Sequence, residues 1–185
     1  MTFLVKKYPN GKASGHMHSL QPGQTLSVKP INEFDYKPNK FSELTLIAGG
    51  AGITPFAQLV RTVLTNPADK TKVNLLYGVT LEEDILLKDE FDGYAAKHPD
   101  RFKAVYVVSK PPAGSDGKYR PGYVTKEILK ESLPEKGVSS KILICGPPPM
   151  MAAVAGAKGG FGWTQGNLGG MLKEMGYQKQ QVQKF

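Results

Sequence analysis

Leu44-Thr45-Leu46-Ile47-Ala48-Gly49-Gly50-Ala51-Gly52-Ile53-Thr54-Pro55 is the stretch on which the fold turns. Leu44–Ala48 is a continuous apolar run bounded by glycines, the pattern of a strand buried on both faces. The period then changes, with Phe56, Leu59, Val60, Val63 and Leu64 recurring at helical spacing. A strand, a glycine turn and a helix in succession open a βαβ unit. Thr54 has the chemistry of an N-cap, and Pro55 suits the first helical position.

Downstream the alternation continues. Val73–Val79 and Phe102–Val108 read as further buried strands, with a more charged helical pattern from Ile85 to His98 between them. Pro111 to Pro121 is a Pro- and Gly-rich loop. Thr125–Leu133 reads as a short helix stopped by Pro134, Lys141–Cys145 as a fourth strand, and Met150–Ala157 as a helix. Leu168, Met171, Leu172 and Met175 form a last helical stripe, with Gly176 placed to cap it. Gly156–Gly170 is glycine-rich and reads as a mobile surface loop. The pattern predicts an α/β domain with a parallel sheet, which binds ligands at the carboxyl ends of its strands.

Upstream, residues 1–43 read as β-type and irregular structure. Thr2–Lys6 is a short apolar piece, Tyr8-Pro9-Asn10-Gly11 and Gln21-Pro22-Gly23 are turns, and Thr25–Val28 alternates like a half-buried strand. Pro30 and Pro38 punctuate a loop. About two strands are expected here, too few to bury a core of their own.

The chain has 185 residues, with 24 Lys+Arg against 16 Asp+Glu, a net charge of +8. That length allows one domain or one and a fraction. The single cysteine excludes a disulfide framework and a cysteine-based zinc site. No apolar run is long enough to span a membrane, and MTFLVKKYPN lacks a signal-peptide pattern. The arithmetic predicts a soluble, basic, intracellular protein. Its lysines are dispersed and not interleaved with aromatics, so nucleic-acid binding has little support. A solvated surface and an acidic protein partner remain as readings of the charge.

Three strand ends carry the chemistry. The Gly49–Pro55 turn reads either as a phosphate cradle at a helix N-terminus or as a plain chain reversal; it is neither GxGxxG nor a P-loop. Tyr77-Gly78-Val79-Thr80 leads into Glu82-Glu83-Asp84-Ile85, where Gly78 permits close approach. There the carboxylates of Glu82 and Glu83 read either as partners for ligand hydroxyls or, favoured, as a solvated helix start. Cys145-Gly146-Pro147-Pro148-Pro149-Met150 fixes the exit of the fourth strand. No histidine stands near Cys145, so a buried or cofactor-facing thiol is favoured over a nucleophile. His16 and His18 share one face if they lie on a strand. They lack a matching third ligand, and no metal site is expected.

AGGAGITP after the first strand and CGPPPM after the fourth resemble the ferredoxin–NAD(P)+ reductase superfamily. Within it, YGVTLEEDILLKDEFD and LKEMGYQKQQVQKF are similar to the NADH–cytochrome b5 reductases, particularly the fungal mitochondrial form. The resemblance covers nearly the whole chain. It implies that Gly11, Lys12, Ala13 and Ser14 correspond to a flavin motif holding the FAD pyrophosphate, with Ala13 where methionine is usual. Gly49, Gly50, Gly52, Ile53 and Thr54 then bind the nicotinamide nucleotide, with Thr54 beside the flavin ring and Ala51 where threonine is frequent. Tyr77, Gly78, Asp84, Cys145, Gly146, Pro147 and Met150 complete the NAD-binding set, and Cys145 positions the nicotinamide without covalent chemistry. Phe185 matches an aromatic terminus common in the family; a disordered tail is the alternative.

Two departures stand out. The family's RxY[ST] flavin motif does not occur, and the only arginines are Arg61, Arg101 and Arg120. Lys118 stands about where some relatives place an acid to read the adenosine ribose, so NADPH stays open beside NADH. The implied organisation is the last part of an FAD-binding β-barrel over 1–43 and an NAD-binding α/β domain over 44–185. The implied activity passes electrons from NADH through FAD to an acidic haem protein such as cytochrome b5, at a mitochondrial location. The alternative is a truncated, non-catalytic nucleotide-binding fragment or pseudoenzyme that cannot retain FAD.

Overall fold

A computed structural model describes residues 3–29, 33–115, 117–134, 139–160 and 164–185. The chain divides into two compact units, Met1–Tyr36 and Lys37–Phe185. Thr2, Pro30, Asp116 and the centre of the Gly156–Gly170 stretch lie outside the described residues.

The second unit carries one six-stranded sheet in the order β4-β3-β2-β1-β5-β6. Its strands are β1 Glu43–Gly49, β2 Lys72–Val79, β3 Phe102–Val108, β4 Arg120–Pro121, β5 Ser140–Cys145 and β6 Val182–Lys184. All five neighbouring pairs are parallel. Between the strands lie α2 Thr54–Thr65, α3 Lys88–Lys97, α4 Lys126–Ser132, α5 Pro148–Ala155 and α6 Gly170–Glu174. From β1 the chain adds β2, β3 and β4 on one side and later β5 and β6 on the other. The order therefore reverses between β1 and β5, and their carboxyl ends form the crevice where such sheets bind ligands.

Strand alternation sorts the core into two layers. Ile47, Leu76, Val107, Ile142 and Ile144 pack with Ile128 and Leu129 of α4, Met151 and Val154 of α5 and Leu172 of α6. On the alternate positions Leu46, Leu75 and Leu143 are fully buried, as are Phe56, Val60 and Val63 of α2. Each such side chain contributes roughly 1.5–3 kcal/mol by leaving water. Buried Thr45 donates its hydroxyl to Ser132 O at 3.0 Å, tying β1 to the end of α4.

Helix ends follow the expected chemistry at two places. Thr125 Oγ1 accepts from Ile128 N at 3.3 Å and caps α4. After α6, Gly176 adopts φ 86°, with Gly176 N donating to Lys173 O and Tyr177 N to Leu172 O. That paired bonding is a Schellman stop, which needs a left-handed residue where glycine stands.

Several expectations are corrected. Residues 12–19 form a helix, α1 Lys12–Ser19, and the described residues before Lys37 contain no strand where about two were expected. Among the described residues Thr25–Val28 belongs to no strand, and an apolar alternation forms one only where a neighbour takes its backbone bonds. His16 and His18 lie two apart on that helix, where side chains do not share a face; His18 Nε2 contacts Val5 O at 2.9 Å. Asn39 and Ser42 belong to the sheet unit. Asn39 Nδ2 donates to Ala68 O at 2.9 Å, and Lys72 N donates to Ser42 O at 3.0 Å.

The C-terminus is ordered as β6, with Phe185 N donating to Ile144 O at 2.9 Å. Phe185 meets Phe56 edge to face, with ring centroids 5.6 Å apart. The described ends of the glycine-rich stretch are anchored to β6. The Gln165 side-chain amide exchanges two 2.7 Å bonds with the Lys184 backbone, occupying a strand edge. Lys184 is only 3% exposed, and its ammonium donates to Ala157 O at 3.1 Å and Asn167 O at 2.8 Å. Burial, and secondarily Lys179, pulls its pKa down.

Candidate functional site

The carboxyl ends of β1 and β5 meet through glycine. Ala48 and Cys145 are register partners on adjacent strands. A methyl group at Gly52 would sit 2.1 Å from Cys145 O, and one at Gly49 would sit 2.5 Å from Met150 Sδ and 2.8 Å from Pro147 Cδ. Gly146 and Gly49 close the same contact, with a Cβ on Gly146 placed 3.2 Å from Gly49 Cα. Gly49, Gly52, Cys145, Gly146, Pro147 and Met150 are thus one packed cluster. Gly50 differs: its φ of 52° favours glycine, and an added Cβ there would meet open space. Gly78, the register partner of Gly49 on β2, also leaves ordinary room, with Ala48 O 3.7 Å from the added atom. Glycine at these two positions leaves space above the strand ends.

The turn enters its helix differently from the sequence expectation. Gly50–Ile53 forms a 3-10 turn, so Thr54 is the first residue of α2 and Ile53 stands at its N-cap. Its amide donates to Ala51 O. Ile53 is buried, and Pro55 stands in the first turn of α2. No acidic side chain occupies that turn, so an anion at this helix start meets no like charge from it. The open space at Gly50 and the lack of an acid suit a pyrophosphate, while Thr54 N is already engaged and Pro55 has no N–H to offer.

Tyr77 links the β1 turn to the next strand end. Its hydroxyl, on a fully buried residue, reaches Gly50 O at 3.0 Å and Asp84 O at 3.4 Å. Burial, with a smaller push from Asp84, raises the phenol to about 12. Asp84 also accepts from Leu81 N at 3.1 Å, closing the 3-10 turn Glu82–Asp84. Helix α3 starts only at Lys88, because Leu87 takes a left-handed φ of 60°.

Glu82 is not a merely solvated carboxylate. It accepts from Lys118 Nζ at 2.8 Å and from the Tyr119 hydroxyl. Those bonds, Lys118 first, hold it below the ordinary carboxylate range. Neither Glu82 nor Tyr119 stood out as a site residue in the sequence, because their contact joins different loops.

Lys12, Ala13 and Ser14 begin α1 in the first unit, with Gly11 at its N-cap. Gly11 precedes the helix without a side-chain cap. The Ser14 hydroxyl is engaged locally, accepting from Tyr8 N at 3.3 Å and donating to Gly11 O at 3.4 Å. That hydroxyl is a poor fit for an outside phosphate unless the turn opens.

A cavity of about 680 Å³ lies at the amino ends of β1 and β2, lined by Asn39, Glu43, Lys72 and Pro134 among others. It has neither the glycines nor the strand-order reversal of the opposite end. No group of three metal-binding side chains occurs among the described residues.

Comparison with known proteins agrees with this geometry. The profile of the family described as the oxidoreductase NAD-binding domain matches residues 46–156. The crystal structure of the cytochrome b5 reductase domain of Ulva prolifera nitrate reductase superposes with a TM-score of 0.80 at 30% identity, covering 99% of this chain and 70% of that one. The chain belongs to the oxidoreductase NAD-binding family, in its cytochrome b5 reductase branch. NADH-cytochrome b5 reductase 2 of Mycosarcoma maydis is 48% identical across 100% of this chain and 53% of the relative. The Botryotinia fuckeliana protein of the same name is 51% identical, over 98% and 52%. The chain therefore spans about half the length of the curated relatives it matches. The family match lies inside the second unit and includes both glycine clusters of the crevice.

Proposed function

We propose that this chain binds NADH across the carboxyl ends of β1, β2 and β5, as the pyridine-nucleotide lobe of a reductase that passes electrons through FAD to a cytochrome b5-type haem protein. The observation that carries this reading is the interlock of the Gly49–Ile53 and Cys145–Met150 turns at the strand-order reversal. When bound, the nicotinamide and flavin supply the hydride and single-electron chemistry. The chain's own groups bind and orient. The glycine turn ahead of α2 takes the pyrophosphate, Gly50 and Gly78 give room for it, and Thr54 and Cys145 border the nicotinamide. Tyr77 holds the Gly50 carbonyl in place, and Asp84 stiffens the neighbouring turn. No side-chain acid or base is needed. The net charge of +8 suits encounter with an acidic haem protein. A mitochondrial site of action rests on the fungal resemblance. No helix among the described residues is long and apolar enough to cross a membrane.

One observation favours the second reading, a nucleotide-binding chain that does not retain FAD. None of the described residues from Phe3 to Tyr36 is buried, and the Ser14 hydroxyl of the flavin motif is already engaged. The test is to purify the chain, record its flavin absorbance, and assay NADH-dependent reduction of cytochrome b5 with and without added FAD. Turnover with stoichiometric flavin supports the complete electron path. NADH binding without flavin or turnover supports the second reading, and absence of NADH binding contradicts both.

A further inference from the structure

We propose that Glu82 determines the choice between NADH and NADPH, by taking the ammonium of Lys118 and presenting a carboxylate where a 2′-phosphate would stand. This inference rests on the nucleotide-binding reading above. If the nicotinamide lies toward β5 and Cys145, the adenosine half runs the other way, over the exits of β2, β3 and β4. Those exits are built as one rigid ledge. Ser109 N donates to Val79 O at 3.0 Å and Lys110 N to Thr80 O at 2.9 Å, fastening β3's exit to that of β2. Tyr77 in turn joins the 82–84 turn to the phosphate-side glycines through Asp84 O and Gly50 O.

Glu82 stands on this ledge. Its Oε1 accepts both the Tyr119 hydroxyl and, at 2.8 Å, Lys118 Nζ. Tyr119 is only 4% exposed and meets Tyr106 edge to face at 6.4 Å, so its hydroxyl is a fixed post rather than a wandering surface donor. The Lys118 ammonium also lies 5.0 Å from the Tyr119 ring centroid. Lys118 alone would attract a phosphate. Paired with Glu82, its charge is cancelled, and a carboxylate oriented by a buried phenol remains. The Glu82 carboxylate can still accept from a ribose 2′-hydroxyl, and the net-neutral pair no longer offers the Lys118 charge to a phosphate dianion. An ordinary exposed ion pair would contribute little to stability and nothing to selectivity; selectivity separates the two cases.

The test uses the full chain and measures NAD+ and NADP+ binding by calorimetry for the wild type, Glu82→Gln, Lys118→Ala and the double variant. Circular dichroism melts confirm that each variant is folded. The wild type is expected to prefer NAD+. Glu82→Gln, nearly isosteric and still able to accept from Tyr119, should tighten NADP+ by about tenfold while weakening NAD+ by no more than about threefold. The NADP+ gain should weaken with added salt and vanish in the double variant, because it runs through Lys118. Repeating the comparison with adenosine 2′,5′-bisphosphate isolates the 2′-phosphate. An NADP+/NAD+ affinity ratio unchanged within about twofold in Glu82→Gln overturns this proposal and leaves the nucleotide site standing. Failure of the wild type and every variant to bind either nucleotide overturns both.

Discussion

Leu75 and Val28 are both apolar residues in alternating or apolar stretches, yet Leu75 is 0% exposed and Val28 is 51% exposed. The contrast runs through their whole units. In residues 37–185 every long strand has neighbours on both edges or a covered edge, and helices lie against the sheet. In the described residues from 3 to 36 one short helix forms, and Phe3, Tyr8, Leu26 and Val28 stay exposed. Hydrophobic pattern alone does not make a strand. It needs a neighbour to satisfy its backbone and a facing layer to bury its side chains. The first unit has material for β-structure without that neighbour among the described residues, while the second closes its own core.

The sharpest way to break this comparison is a truncation in β2. Leu75→Ala should lower stability by about 2–5 kcal/mol, read as a fall in the urea midpoint with unchanged slope. A loss under about 1 kcal/mol would mean the sheet is not the structural core. Gly52→Ala comes next. The new methyl falls 2.1 Å from a backbone carbonyl that cannot rotate aside. It should cost roughly 1–3 kcal/mol and weaken NAD+ binding more than tenfold, because it separates the two turns of the crevice. Normal binding in that variant would dissociate the interlock from the site.

A pH experiment addresses Tyr77. Its folded-state pKa is raised from 10.0 to about 12, chiefly by burial. The associated stability is therefore fully present below pH about 10 and is lost as pH rises through about 12. Wild-type stability should fall across that window, and Tyr77→Phe should reduce the fall by on the order of 1–2 kcal/mol. Parallel curves for the two proteins would show that the phenol is not held as described. The smallest effect belongs to the first unit: Val28→Ala should change stability by less than about 0.5 kcal/mol. A larger loss would reveal burial that the exposed setting of Val28 does not contain.

Much of the second unit is legible in the sequence. Leu44–Ala48, Val73–Val79 and Phe102–Val108 are apolar without interruption because both sheet faces are covered, and such runs announce themselves. β6 was not legible. Its buried positions are Val182 and Lys184, and a lysine reads as surface unless carbonyls such as those of Ala157 and Asn167 are known to receive it. Its edge is satisfied by Gln165, a contact no periodicity encodes. α1 was missed because Lys12–Ser19 has no apolar stripe and contains Gly15. The site divides in the same way. The two glycine turns were visible as motifs at strand ends, whereas the Glu82–Lys118–Tyr119 cluster joins residues 36 and 37 positions apart. Only the register of β2 against β3 and the course of the following loop bring those residues together.

The most direct test of the account is a two-dimensional amide spectrum of the 185-residue chain titrated with NAD+. The account predicts saturable shifts at residues 49–54, 77–84 and 145–150, with the amides of 12–19 unmoved. Shifts confined to residues 39–43 and 70–72, at the amino end of the sheet, or no shifts at all, would contradict it.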